Sequence, residues 1–289
     1  MARLRHATYD RRGPVVLIDA AHYNVHTAEN RYKPFAELMA SDGFRIGACS
    51  RSFSDVTLSG AQVLVVANAL GLRGVMQHLA NLIGLERRVH FHPDAFSTGE
   101  VEAVKAWVSG GGSLLLVSDH APCGAAAARL AQAFGVGMTD TWAEDPREHD
   151  PESGNPAFLL FTRDNGLLGE HAITSGRDPT ERVRRVLTFT GQALTAPAGS
   201  SVLLRLSSGA REYPYAESSE SEGRSAAGKA QGVALEFGQG RVVVLGEAAM
   251  ITAQAAQASG RRLLFGMNRP GYDNRQFALN TMHWLARLY

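Results

Sequence analysis

The sequence has little thiol chemistry to offer. Two cysteines, Cys49 and Cys123, stand far apart in 289 residues. That is too few for a disulfide framework, and such usage fits a reducing compartment. Long apolar runs are missing as well. No window approaches the ~18 residues that a membrane-spanning helix needs, so a membrane partner is not expected. The opening MARLRHATYDRRGP is basic but has no apolar segment behind it of the kind a signal peptide carries, and the expected location is cytoplasmic. Surplus charge is absent too. Lys and Arg number 29 against 28 Asp and Glu, for a formal net charge of +1, which does not build the basic face of a nucleic-acid binder. The arginine pairs Arg11–Arg12, Arg87–Arg88, Arg184–Arg185 and Arg261–Arg262 are scattered. They read as solvated faces or helix ends, any one of which can take an anion. Phosphate loops are missing. SGGGS at 109–113 ends a helix and opens a strand, the reverse of the phosphate-cradling order, and GLRG after Asn68 matches neither GxGxxG nor GxxxxGK. No nucleotide is expected, and no internal repeat is visible.

What is present is an ordinary globular composition, 45% apolar and 20% charged. PVVLIDA, AQVLVVANAL and SLLLVSDHAP are continuous apolar runs, the mark of strands buried on both faces; FRIGACS reads as a further strand. Helical patterns lie between them. In YKPFAELMASDG, Phe35, Leu38 and Met39 share a face and Gly43 ends it. In STGEVEAVKAWVSGGG, Ser97 and Glu100 stand in capping-box spacing. Alternating strands and helices predict an α/β fold, a doubly wound, mostly parallel sheet with helices on both faces. GVALEFGQGRVVVLGEAAM predicts a hairpin that turns at Gly238–Gly240, and NRQFALNTMHWLARLY a closing amphipathic helix with Phe277, Met282, Trp284, Leu285 and Leu288 toward the core. The chain thus reads as a single α/β domain. Its core spans about 14–138 and 233–289, with an irregular, β-rich insertion over about 139–232. The polar stretch at 139–156 is a surface excursion or a lid, and 216–232 is rich in Ser, Gly and charge.

In an open parallel sheet, ligands bind beyond the carboxyl ends of the strands, and the polar residues fall there. The first strand delivers Asp19, His22, Asn24 and His26; the third, Asn68; the fourth, Asp119 and His120; the late strand, Glu247. Asn268, Asp273 and Asn274 follow it. Mixed carboxylates and imidazoles suit a divalent metal such as zinc, manganese or iron. The leading expectation is therefore a metal-dependent hydrolase of a small amide or sugar-like substrate. His22, His26 and His120 would be its ligands and Asp19, Asp119 and Glu247 its catalytic carboxylates; Asn24, Asn68, Asn268, Asp273 and Asn274 would orient the substrate. The His22/His26 spacing lacks the Glu of HExxH. Each group also has a purely structural reading. His22 and His26 can bond backbone, Asp119 or Asp273–Asn274 can cap helices, and Glu247 can pair with Arg269 or Arg275. The second expectation is a non-catalytic domain that uses the same rim to hold a ligand or partner. The third is a nucleophilic hydrolase built on Cys123 and His120, although Cys123 comes after Pro122 and behind the tip of its turn. A homo-oligomer is compatible with all three.

VVLIDAAHYNVHT, RYKPFAELMASDGFRI, AQVLVVANAL, GGGSLLLVSDHAP, GRVVVLGEAAM and GMNRPGYDNRQFALNTMHWL together resemble the bacterial DUF4350-type proteins. These are related to the class I glutamine-amidotransferase-like domains also found in gliding-motility and intraflagellar-transport proteins. EHAITSGR, 170–177, is similar to an HPI-x-G-like segment of such domains. The resemblance runs through nearly the whole chain, least over 139–232, and implies a flavodoxin-like sheet. Amidotransferases proper carry a cysteine at the elbow and a distal His–Glu pair; this chain has no cysteine at such a tip.

Overall fold

The computed structural model describes residues 7–9, 13–72, 75–76, 79, 94–214, 223–258 and 261–289. The pairs Arg11–Arg12 and Arg87–Arg88 and part of the 216–232 stretch lie outside the described residues. So does the second half of GLRG. Chain order is β1 Val15–Asp19, α1 Lys33–Ser41, β2 Arg45–Cys49, α2 Asp55–Leu58, β3 Val63–Ala67, α3 Thr98–Ser109, β4 Ser113–Val117 and α4 Cys123–Gln132. Then come β5 Thr141–Glu144, β6 Leu160–Thr162, α5 Ala172–Ser175, β7 Arg185–Leu187, β8 Ser201–Arg205, β9 Arg211–Pro214 and β10 Arg224–Ser225. β11 Ala230–Phe237, β12 Gly240–Leu245, β13 Ala253–Ala258, β14 Arg261–Gly266 and α6 Asn274–Leu285 complete the chain.

Seven strands form the main sheet in the order β2-β1-β3-β4-β12-β11-β8. β2 through β12 in that order are parallel, while β11 and β8 join antiparallel at one end. The doubly wound, mostly parallel α/β reading of the sequence is therefore observed. β8 comes from the stretch read as an insertion, so 139–232 supplies a strand of the sheet as well as the small sheets β10-β9-β5 and β6-β7.

Successive strand residues point to opposite faces, and both faces are covered. Val63, Val65 and Ala67 face one layer with Phe35, Leu38 and Met39 of α1 and Phe277, Met282 and Trp284 of α6. Leu64 and Val66 face the other, with Val101, Val104 and Val108 of α3 and Leu130 of α4. Leu288 is only partly buried. α1 starts with Pro34 in its first turn and ends where Gly43, at φ +95°, takes a left-handed turn that a side chain would resist. α3 starts as its sequence predicts, Ser97 accepting from the Glu100 amide and Glu100 reaching back. Among the described residues no helix is long and apolar enough to cross a membrane.

The register fixes the site. Asp19 lies opposite Cys49, Ala67 opposite Val117, and Val117 opposite Leu245. The strands therefore end together, and the residues that follow β1, β3, β4 and β12 emerge along one edge. The chain runs from β1 out to β2 and back to β3 on the other side of β1, so this edge includes the switch point where such sheets place ligands.

Candidate functional site at the strand ends

Two hydrogen-bonded networks occupy that edge. The first centres on His22, 6% exposed. Its Nδ1 lies 2.9 Å from both carboxylate oxygens of Asp19, and its Nε2 lies 2.8 Å from Oε1 of Glu100. Both nitrogens face carboxylates, and both can donate only as the imidazolium. Burial opposes that charge, but the bonds and charges of Asp19 and Glu100 outweigh it and raise the His22 pKa above 6.5. Glu100 is driven the other way. Burial would raise it, yet bonds from Ser97 and His22 lower it to about 2. Phe53 and Phe96 flank the imidazole at ring-centroid distances of 4.6 and 4.7 Å. The remaining acceptors are filled too. Asn24 Nδ2 donates to Asp19 Oδ2 at 2.9 Å, and the Phe53 amide to Glu100 Oε1 at 3.2 Å. Ser97 Oγ donates to Glu100 Oε2 at 2.7 Å.

The second network centres on Asn68, which holds φ +45° at the end of β3, a conformation asparagine tolerates better than most residues. Its Nδ2 donates to Asp119 Oδ2 at 2.6 Å and to His26 Nδ1 at 3.1 Å, and its Oδ1 accepts from the Asp119 amide at 2.8 Å. Asp119 Oδ1 accepts from the Ala248 amide at 2.5 Å. Accepting at Nδ1 fixes His26 as the neutral tautomer with hydrogen on Nε2. Burial first, and then Arg31, lower its pKa to about 4. Nε2 is buried without a hydrogen-bond partner among the described residues; the Tyr32 ring packs edge-on at 5.0 Å.

Glu247 sits beside this network. Its carboxyl oxygens accept from the amides of Ala249 and Met250 at 2.6 and 2.7 Å, closing the short 3-10 turn Ala249–Ile251. Burial pushes its pKa well above the carboxylate range, and the nearby charge of Asp119 adds to this. Asp119 is raised as well, first by burial, against the bonds from Asn68 and Ala248. Raised carboxyl values make the fold bind protons that the unfolded chain releases. Both groups therefore subtract stability as pH climbs through and above the ordinary carboxyl range.

The strand-end convergence read from the sequence is thus present for Asp19, His22, Asn24, His26, Asn68, Asp119 and Glu247. Among the described residues no group of three or more His, Cys, Asp or Glu side chains is placed to hold a metal ion. His22 has committed both nitrogens to carboxylates, and His26 has taken a hydrogen bond on the lone pair a metal would need. His120 lies partly exposed, its Nδ1 at 2.9 Å from the Ala121 carbonyl.

Of the last three expected residues, which follow the hairpin β13–β14, Asn268 and Asp273 bond to backbone groups outside the strand-end networks, whereas Asn274 reaches the turn that Glu247 closes. Asn268 donates to the Gln254 carbonyl at the hairpin base. Asp273 accepts from the amides of Arg184 and Arg185. Asn274, buried, pairs with both backbone groups of Leu187 and with the Met250 carbonyl, so it splices β7 to the sheet edge rather than orienting a ligand. Glu247 does not pair with Arg269, which is bound instead to Asp150 at 2.8 Å and Glu152 at 2.7 Å. Cys123 opens α4 but is buried, and burial, with the charges of Asp119 and Asp140, pushes its thiol up, away from the thiolate a nucleophile needs.

Glu100 is the site residue that the sequence conceals. Its capping-box spacing explains it locally, and nothing in that spacing reports that one oxygen remains to reach His22, 78 positions away.

No protein-family model and no curated protein sequence matches the chain. Solved structures do. The N-terminal domain of mmIFT52 superposes with a TM-score of 0.63 at 14% identity, covering 94% of this chain and 97% of that one. A cytoplasmic protein from Salmonella typhimurium superposes with a TM-score of 0.50 at 13% identity, covering 94% of this chain and 98% of that one. At these identities the likeness is one of fold.

Proposed function

We infer that the chain is a non-catalytic domain of glutamine-amidotransferase-like fold that serves as a ligand- or partner-binding module. The observation that carries this reading is the self-pairing of the strand-end groups. Except for His120, the imidazoles and carboxylates that would make a hydrolase bond to one another, to asparagines or to backbone amides, so they brace four loops, and among the described residues no three of them are placed to share a metal ion. Apolar surface supports the same reading. Tyr23, 54% exposed, and Leu72, 56% exposed, project from two loops joined where the His22 carbonyl accepts from the amides of Leu70 and Gly71. Each follows directly on that backbone junction and stands available for recognition.

Elemental analysis of untagged protein tests the reading. The expected result is far less than one equivalent of zinc, manganese or iron per chain, and a melting temperature that chelator leaves unchanged. A stoichiometric metal whose removal lowers the melting temperature overturns it and restores the hydrolase.

A further inference from the structure

Away from the strand-end networks, the β6–β7 strand pair and the turn leading into α6 border an open cleft of about 680 Å³, a size in the ordinary range for small-molecule sites. Its charge is unbalanced. Arg163, Arg182, Arg184 and Arg185 line it, against Asp164 and Asp273. Arg163 is anchored, donating to the carbonyls of Val183 at 3.2 Å and Thr174 at 3.0 Å and pairing with Glu170. The side chains of Arg182, Arg184 and Arg185 have neither a hydrogen bond nor an ion pair among the described residues. Burial lowers the pKa of Arg163, and the nearby positive charge of Arg182 lowers it further.

The crowding is held in place. Asp273 Oδ2 accepts from the amides of Arg184 at 2.7 Å and Arg185 at 3.1 Å, and the Asp273 amide donates to the Arg185 carbonyl at 2.9 Å. Asn274 pins Leu187 just beyond. Like charges on a rigid backbone repel and gain nothing for the fold unless something neutralises them. The lining also excludes ligand classes. No aromatic ring among the described residues faces the cleft, so a nucleobase has nothing to stack on, and an apolar ligand would find no apolar wall.

We propose that this cleft binds a small phosphorylated sugar or polyol. The guanidinium groups of Arg182, Arg184 and Arg185 take its phosphate oxygens through paired N–H···O contacts, the geometry for which arginine is suited. Asp164, and the Oδ1 of Asp273, which has no partner among the described residues, accept from its hydroxyls. This assignment is independent of the reading of the strand-end site.

Calorimetric titration of the full chain with fructose bisphosphate at low salt tests it, with inorganic phosphate and vesicles carrying phosphoinositide as the other two arms. The expected result is saturable one-to-one binding of the sugar bisphosphate, weaker binding of inorganic phosphate, and an affinity that falls as salt rises. In Arg182→Glu/Arg184→Glu the dissociation constant rises at least about tenfold. Arg224→Glu, which reverses an exposed arginine elsewhere, leaves it unchanged. Melting temperatures equal to that of the parent certify the folds; if the double variant melts early, Arg182→Ala, at an exposed position, is read in its place. No saturable binding, or binding that survives charge reversal, overturns the proposal. Vesicle binding without binding of the soluble sugar overturns it in favour of a lipid headgroup.

Discussion

Alanine in place of His22 is expected to lower the free energy of unfolding by about 3–5 kcal/mol near pH 6, the cost of removing one partner from a buried ion pair. The size follows from what remains. Asp19 is fully buried and, among the described residues, keeps Asn24 Nδ2 and the Ala21 amide as donors. Glu100 keeps its capping bonds but loses its counter-charge. Phe53 and Phe96, stacked on each other at 5.7 Å, lose the ring that packs against both. The pH dependence gives this loss its signature. Glu100 is depressed to about 2, so its contribution is present above its unfolded value of 4.5 and is lost as pH falls toward 2. His22 is raised, so its contribution is complete below 6.5 and is lost as pH climbs through the folded value. The deficit of His22→Ala should therefore be greatest between about pH 4.5 and 6.5 and shrink on either side. Denaturant unfolding across that range checks it. Glu100→Gln in the His22→Ala background should cost much less than Glu100→Gln alone, because the pair is already broken. A deficit below about 1 kcal/mol with no pH dependence would mean that the ring carries no charge in the folded protein.

Asn68→Ala is the second large effect, expected at about 3 kcal/mol or more. Three bonds fail at once. The Asp119 amide loses its acceptor, Asp119 Oδ2 loses a donor, and His26 Nδ1 is left with none. Each buried group left unpaired costs about 1–3 kcal/mol, and loosening of the loops recovers part of the sum. Alanine must also hold φ +45°, at a cost of about 1 kcal/mol that asparagine partly escapes. Asn68→Gly separates the two contributions, since glycine removes the same bonds but adopts the angle freely. It should be more stable than Asn68→Ala by about 1 kcal/mol, less the entropy that glycine adds to the unfolded chain. Equal stability of Asn68→Ala and the parent would show that Asn68 does not join these loops.

The large elements were legible because their physics is local. LLLV of β4 and VLVV of β3 are continuous because parallel strands between two helical layers have no wet face. Ser97 and Glu100 announce α3 within four residues. The identity of the site edge followed from topology alone. Partner choice was not legible. Nothing near His22 names Glu100, and nothing near Asn68 says that its amide will divide between a carboxylate and an imidazole. The same polar cluster is written alike whether it binds a metal or ties four loops, and geometry separates the two. Hairpin β13–β14 escaped reading for a different reason. AQAAQA is built of alanine and glutamine, poor strand formers, and pairs with RRLLFG only in the folded context. The hairpin stands between Glu247 and the pair Asn268 and Asp273, whose partners are backbone groups outside the strand-end networks.

The ionisation of the imidazole nitrogens, read by heteronuclear NMR through a pH titration with and without added zinc, tests the central claim most directly. The self-paired rim predicts His22 as an imidazolium with both nitrogens protonated below a pKa raised above 6.5, and His26 as a neutral ring that protonates only near pH 4. Zinc should move neither set of resonances. A neutral His22 at pH 6, or nitrogen shifts of His22 and His26 that saturate at one equivalent of zinc, would contradict the account.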